Sequence, residues 1–113
     1  WVYQLNYRSP VDGGRWGAFH SLDIGLVFGT LEARDSRTGT GPEARAVSDA
    51  MQRAFVDFAR HGDPNGATGG MWPPYRLPER ATLIFDANPR VENDPRAAER
   101  RLFAKVPYVQ PGT

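Results

Sequence analysis

The first eight residues alternate. Trp1, Tyr3, Leu5 and Tyr7 fall on one side, and Val2, Gln4, Asn6 and Arg8 on the other. Period two with aromatics on one face predicts a strand with one buried side. Ser9-Pro10 ends it, because proline removes a ladder donor and restrains the residue before it. Residues 9–19 are rich in turn formers (Pro10, Asp12, Gly13, Gly14, Gly17) and deliver the chain to His20 as a loop. From Ser21 to Leu31 the residues are mostly apolar. Ile24, Val27, Phe28 and Leu31 fall at i, i+3, i+4 and i+7, which predicts a short helix weakened by Gly25. Residues 32–41 are polar and glycine-containing, and read as an exposed loop.

The strongest helical signal runs over 42–61. Pro42 suits the first helical position, and Glu43 suits the positive end of the helix dipole. Val47, Met51, Ala54, Phe55, Phe58 and Ala59 make one apolar stripe, with Phe55 and Phe58 expected in the core. Arg60 and His61 occupy the last turn, Gly62 suits a left-handed cap, and Asp63-Pro64 stops the helix. Residues 63–80 are irregular, with Trp72-Pro73-Pro74-Tyr75 as a rigid aromatic anchor. Thr82–Asp86 predicts a short strand, 87–90 a turn, and Val91–Asn93 a return strand in a small hairpin. Asp94-Pro95 pairs a capping acid with proline and predicts a helix over 95–104. Residues 105–113 read as a tail. There is no internal repeat and no low-complexity run.

Composition narrows the class of partner. The 113 residues fit one domain or a piece of one. Fourteen basic residues against 13 acidic give a net charge of +1, which removes the strongest reason to expect nucleic acid or an anionic membrane. With no cysteine, disulfides, thiolate chemistry and cysteine-ligated metals are excluded. No apolar run approaches the ~20 residues of a membrane span. Zero cysteines are compatible with a bacterial cytosol and with secretion. The opening Trp1-Val2-Tyr3, inside a predicted strand and without methionine, reads as the start of a piece cut from a longer chain. Thirteen arginines against Lys105 alone suggest a GC-rich genome.

Candidate chemistry is sparse. No G-x-S-x-G occurs, and none of Ser9, Ser21, Ser36 and Ser48 sits in a glycine-flanked turn. There is no G-x-G-x-x-G, P-loop or H-E-x-x-H, and the two histidines lie 41 positions apart, so no metal pair is implied. No cofactor is expected. His20 remains, on a loop leaving a strand, where an imidazole can take and return a proton at neutral pH. On spacing alone, such a histidine more often satisfies a nearby backbone group. Asp23, three positions on, reads either as an acid that orients the site or as one stabilised by a helix N-terminus. His61 reads as a helix-end cation. The Arg96, Arg100 and Arg101 cluster is offset by Asp94 and Glu99 and reads as a solvated face.

Gly17-Ala18-Phe19-His20-Ser21-Leu22-Asp23-Ile24, ending in Val27-Phe28-Gly29, resembles the histidine segment of type-B carboxylesterases, the family of the para-nitrobenzyl-type esterases and cholinesterases. Ser48–Gln52, Phe55–Arg60, Gly62-Asp63-Pro64-Asn65 and Trp72–Tyr75 resemble later parts of the same family in the same order. The likeness covers about residues 1–103, and its specificity comes from motifs in sequence with matching spacers. It implies an α/β fold, the C-terminal part of an α/β-hydrolase. That part would hold one core-sheet strand, the histidine loop, a long helix, a small hairpin and a terminal helix over 1–104, with 105–113 as tail. The triad histidine would be His20, and Asp23 would match a position where the family carries a supporting acid. Nucleophilic serine, triad acid and oxyanion loop would lie upstream of Trp1. The resemblance also implies a small-molecule ester as substrate, the remainder of the hydrolase as packing partner, and an isolated chain without activity. Gly25 departs from the pattern, since relatives often place proline there. The rival readings are a non-catalytic cholinesterase-like interaction module, a degenerate remnant, and an unrelated small binding domain.

Overall fold

The computed structural model describes residues 1–66 and 70–109. Three strands make one sheet in the order β1 (Tyr3–Leu5), β2 (Ala81–Phe85), β3 (Arg90–Asn93). Strands β1 and β2 run parallel, with Tyr3 opposite Leu83 and Leu5 opposite Phe85. Strand β3 returns antiparallel on the other side of β2, pairing Leu83 with Val91. The predicted first strand and hairpin therefore share one sheet. A parallel pair needs a long crossover, and here it carries α1 (Leu22–Val27) and α2 (Pro42–His61). All five residues of β2 are buried, because it has a strand on each side. The alternation in its sequence is therefore not matched by an alternation in exposure.

Helix α2 has the predicted bounds. Pro42 opens it, Glu43 lies in the first turn, and Gly62 closes it at φ 71° while its N–H donates to the Phe58 carbonyl at 2.8 Å. Its inner face, Ala44, Val47, Met51 and Ala54, joins Tyr7, Leu22, Leu26, Leu31, Trp72, Leu83 and Phe85 in one core. Helix α1 is tied to it by the buried Ser48 hydroxyl, which donates to the Leu26 carbonyl at 2.7 Å and accepts from Gln52 Nε2 at 3.0 Å.

Four expectations need correction. The buried residues of α1 are Leu22 and Leu26, whereas Ile24 and Phe28 are 57% and 73% exposed. Six residues are under two turns, too short for an i, i+3, i+4, i+7 pattern to fix the phase; the Leu22/Leu26 pair seats against α2 and sets it instead. Phe55 and Phe58 lie at the margin of the core, with Phe58 51% exposed. They meet Tyr3 and Trp1 edge-on at 5.9 and 5.8 Å between centroids. The last helix, α3, spans Ala97–Phe103, and Asp94 does not cap it. Arg100 takes the Asp94 carboxylate through Nε at 2.9 Å and a second guanidinium nitrogen at 2.6 Å, a charge-assisted pairing that outcompetes capping. Gly25, expected to loosen α1, instead lets it pack. A Cβ there would come within 2.9 Å of the Thr38 methyl group.

Other expectations fit. Trp72 is buried, and its indole N–H donates to the Val2 carbonyl at 3.1 Å. His61 is in the last turn of α2. Arg96 and Arg100 are paired with Glu99 and Asp94. Residues 105–109 of the predicted tail are exposed, and 110–113 lie outside the described residues.

Candidate active site

The chain leaves β1 with the Asn6 and Tyr7 N–H groups both donating to the Phe85 carbonyl, at 2.8 and 3.0 Å. Tyr7 turns inward, and the following loop folds back on itself where the Ser9 N–H reaches the Gly17 carbonyl at 3.1 Å. This closed loop presents Phe19 and His20 at the start of α1.

The turn at His20 is sharp. Ser21 has φ 66° and ψ 9°, in the left-handed region that costs a non-glycine residue roughly 1–2 kcal/mol. Its hydroxyl donates to the His20 carbonyl at 2.6 Å, and the Leu22 N–H donates to the Phe19 carbonyl at 3.2 Å. Strain of this kind gathers at functional turns. The reversal leaves the His20 imidazole exposed, with no hydrogen bond or ion pair from its side chain among the described residues. The expectation that such a histidine satisfies local backbone is therefore not met.

Asp23 sits in the first turn of α1, where the helix dipole favours an anion. It makes no hydrogen bond or ion pair with His20 among the described residues. Its Oδ2 accepts the Tyr3 hydroxyl at 3.2 Å, which fastens the helix below His20 to strand β1. Burial pushes the Tyr3 phenol above its ordinary pKa, and the Asp23 charge and hydrogen bond add to this. Tyr3 is held in turn by edge-on contacts with Phe55 and with Phe85, the latter at 5.6 Å.

Phe19 of the histidine segment shares a cleft of about 370 Å³ with His20, together with two residues that had no sequence signal, Trp16 and Arg37. The Arg37 guanidinium lies 5.3 Å from the Trp16 ring centre, and Arg15 lies over the same ring at 4.5 Å. The Trp16 indole N–H donates to Asp12 at 2.9 Å. That bond, with the charges of Arg15 and Arg37, holds the Asp12 carboxyl below its usual range. Arg37 is 17 positions from His20, so only the way Tyr7 and Ser9 anchor the 36–39 loop reveals it. Among the described residues no group of three or more histidines and carboxylates is placed to hold a metal ion, and no helix is long and apolar enough to cross a membrane.

A family model described as the carboxylesterase family matches residues 1–103. The para-nitrobenzyl esterase of Bacillus subtilis is 33% identical over 106 residues, 91% of this chain and 21% of that protein. The acetylcholinesterase of Gallus gallus is 44% identical over 75 residues, 65% of this chain and 9% of that protein. Among solved structures, a carboxylesterase of Geobacillus stearothermophilus superposes with a TM-score of 0.73 at 36% identity, covering 89% of this chain and 21% of that one. An esterase of Clostridium hathewayi, whose structure is described as hydrolysing aliphatic aromatic polyesters, gives 0.76 at 25% identity, over 93% of this chain and 21% of that one. The chain thus spans about a fifth of the length of the para-nitrobenzyl esterase it matches.

Proposed function

The chain belongs to the carboxylesterase family and has the architecture of part of an α/β-hydrolase, and from that premise we propose that it supplies the proton-carrying histidine, His20, of a serine ester hydrolase. The observation that carries this reading is the unpartnered, exposed imidazole at the strained turn before α1, in a segment similar to esterases throughout. A non-catalytic module is not favoured, because the histidine is present and no partner occupies its ring among the described residues.

In the complete enzyme the His20 imidazole takes the proton of a serine hydroxyl as that oxygen attacks the ester carbonyl. The imidazolium then gives the proton to the departing alcohol oxygen. In the second half of the cycle the neutral ring takes a proton from water as its oxygen attacks the acyl group, and the serine leaves with that proton. Serine, triad carboxylate and oxyanion donors belong to residues outside this sequence. Those residues also form the packing partner in this reading. The outer edge of β1 has no strand beside it among the described residues, and Ile24, Phe28 and Phe58 are exposed apolar groups at their own expense.

Asp23 acts as a positioning residue, through Tyr3 rather than through the ring. In the complete hydrolase, Asp23→Ala is expected to lower kcat about tenfold by loosening the His20 turn. Asp23→Asn, which still accepts the phenol, should recover most of that loss. An equal loss in both variants would assign the effect to the charge of Asp23 instead.

The complete product of the reading frame that encodes these residues should hydrolyse a para-nitrophenyl ester. The 113 residues alone should match free imidazole at equal concentration, because they hold a base and no G-x-S-x-G nucleophile. Turnover by the isolated chain well above that level would refute the division of labour.

A further inference from the structure

Resting on the hydrolase reading of His20, we propose that Arg37 is a specificity-determining residue that selects esters bearing a carboxylate on the alcohol part. The structure places a cation in the His20 cleft and fixes the backbone that carries it. The Ser9 hydroxyl donates to the Arg37 carbonyl. The Tyr7 hydroxyl donates to the next carbonyl, that of Thr38, at 2.7 Å in the buried interior. The Thr38 methyl group seats against Gly25, where an added Cβ would lie at 2.9 Å, and the Ser36 and Thr38 hydroxyls share a hydrogen bond at 2.8 Å. The backbone that carries Arg37 is thus clamped to the strand exit on one side and to α1, the helix that follows His20, on the other.

The side chain is held more lightly. Its guanidinium lies over the Trp16 ring, 5.3 Å from the ring centre, and has no carboxylate within 4 Å among the described residues. Asp12, whose carboxylate feels the Arg37 charge, is already engaged by the Trp16 indole N–H and paired with Arg15 at 3.6 Å. Arg15 and Arg37 both lie over Trp16, and of the two only Arg15 is paired with a carboxylate among the described residues, so the Arg37 charge is open to a ligand. The Arg37 side-chain N–H donors make no hydrogen bond among the described residues, which leaves the guanidinium fork that fits a carboxylate open. The remaining walls, Trp16 and Phe19, are aromatic.

The chemistry of His20 decides which half of the ester lies here. The imidazolium must reach the departing alcohol oxygen to protonate it, so the alcohol part occupies the space beside the ring. An aromatic alcohol with a carboxylate on its far side meets the ring walls with its body and Arg37 with its charge.

The test compares para-acetoxybenzoate with para-acetoxybenzamide, near-isosteric esters of which only the first is charged, on the complete hydrolase, and reads the preference between them in the variant against that in the wild type. The wild type should prefer the carboxylate, and Arg37→Gln should cut that preference about tenfold, mainly through KM. Arg37→Lys should restore part of it, and about 0.5 M salt should weaken it in the wild type. Because Arg37 is exposed, the variants should melt with the wild type. Equal preference in the wild type and Arg37→Gln overturns the proposal while leaving His20 untouched. Unchanged hydrolysis of both esters by His20→Ala overturns the hydrolase reading and this proposal with it.

Discussion

In the complete hydrolase, His20→Ala should lower kcat for a para-nitrophenyl ester by about four orders of magnitude or more. The size follows from the role. Without a base the serine hydroxyl attacks as a neutral, poor nucleophile, and the departing alkoxide finds no proton; both halves of the cycle slow together. Stability should barely move, within about 0.5 kcal/mol, since the ring is exposed and makes no hydrogen bond among the described residues. The pair of readouts is what discriminates. A large loss of turnover with an unchanged denaturation midpoint marks a reacting group, whereas a parallel loss of both marks a folding residue. Steady-state kinetics and urea titration on the same preparations supply the comparison.

The second large effect is on folding. Phe85→Ala should destabilise the hydrolase by about 3–5 kcal/mol, measured by denaturant unfolding. Phe85 is 1% exposed at the centre of the sheet. Its ring meets Tyr3 at 5.6 Å and Trp72 at 5.9 Å, both edge-on. Truncation opens a cavity between the sheet and the anchor over it, in a close-packed interior that relaxes only partly. It also removes one of the two rings that hold Tyr3, and Tyr3 is what Asp23 grips. Some loss of kcat should therefore accompany the loss of stability, unlike the clean separation expected for His20. A cost below about 1 kcal/mol would mean that this contact is not central to the core.

What was legible in the sequence follows physical lines. Helix α2 has twenty residues, proline at its start and glycine at its end, so local rules and periodicity agree over five turns and its bounds match. Helix α1 has six residues, and there tertiary packing of Leu22 and Leu26 overrides the stripe through Ile24 and Phe28. Asp94 had the right neighbour for a cap but also an arginine six positions on, and the ion pair won. The parallel pairing of β1 with β2 joins residues 80 positions apart, such as Tyr3 and Leu83, a contact that no local pattern encodes.

The site divides in the same way. His20 and Asp23 were visible as residues, through their chemistry and the family resemblance. Their relation was not, because three positions along the chain suggest contact whereas the left-handed turn at Ser21 and the Tyr3 bond keep them apart. Trp16 and Arg37 were invisible, since they reach His20 only through the folding of two loops.

The most direct test is the crystal structure of the complete hydrolase with a phosphonate on its nucleophilic serine. His20 Nε2 should lie at about 3 Å from the serine oxygen, on the side from which the alcohol departs. A His20 ring turned away from that oxygen, with a different histidine in hydrogen-bonding reach, would contradict it.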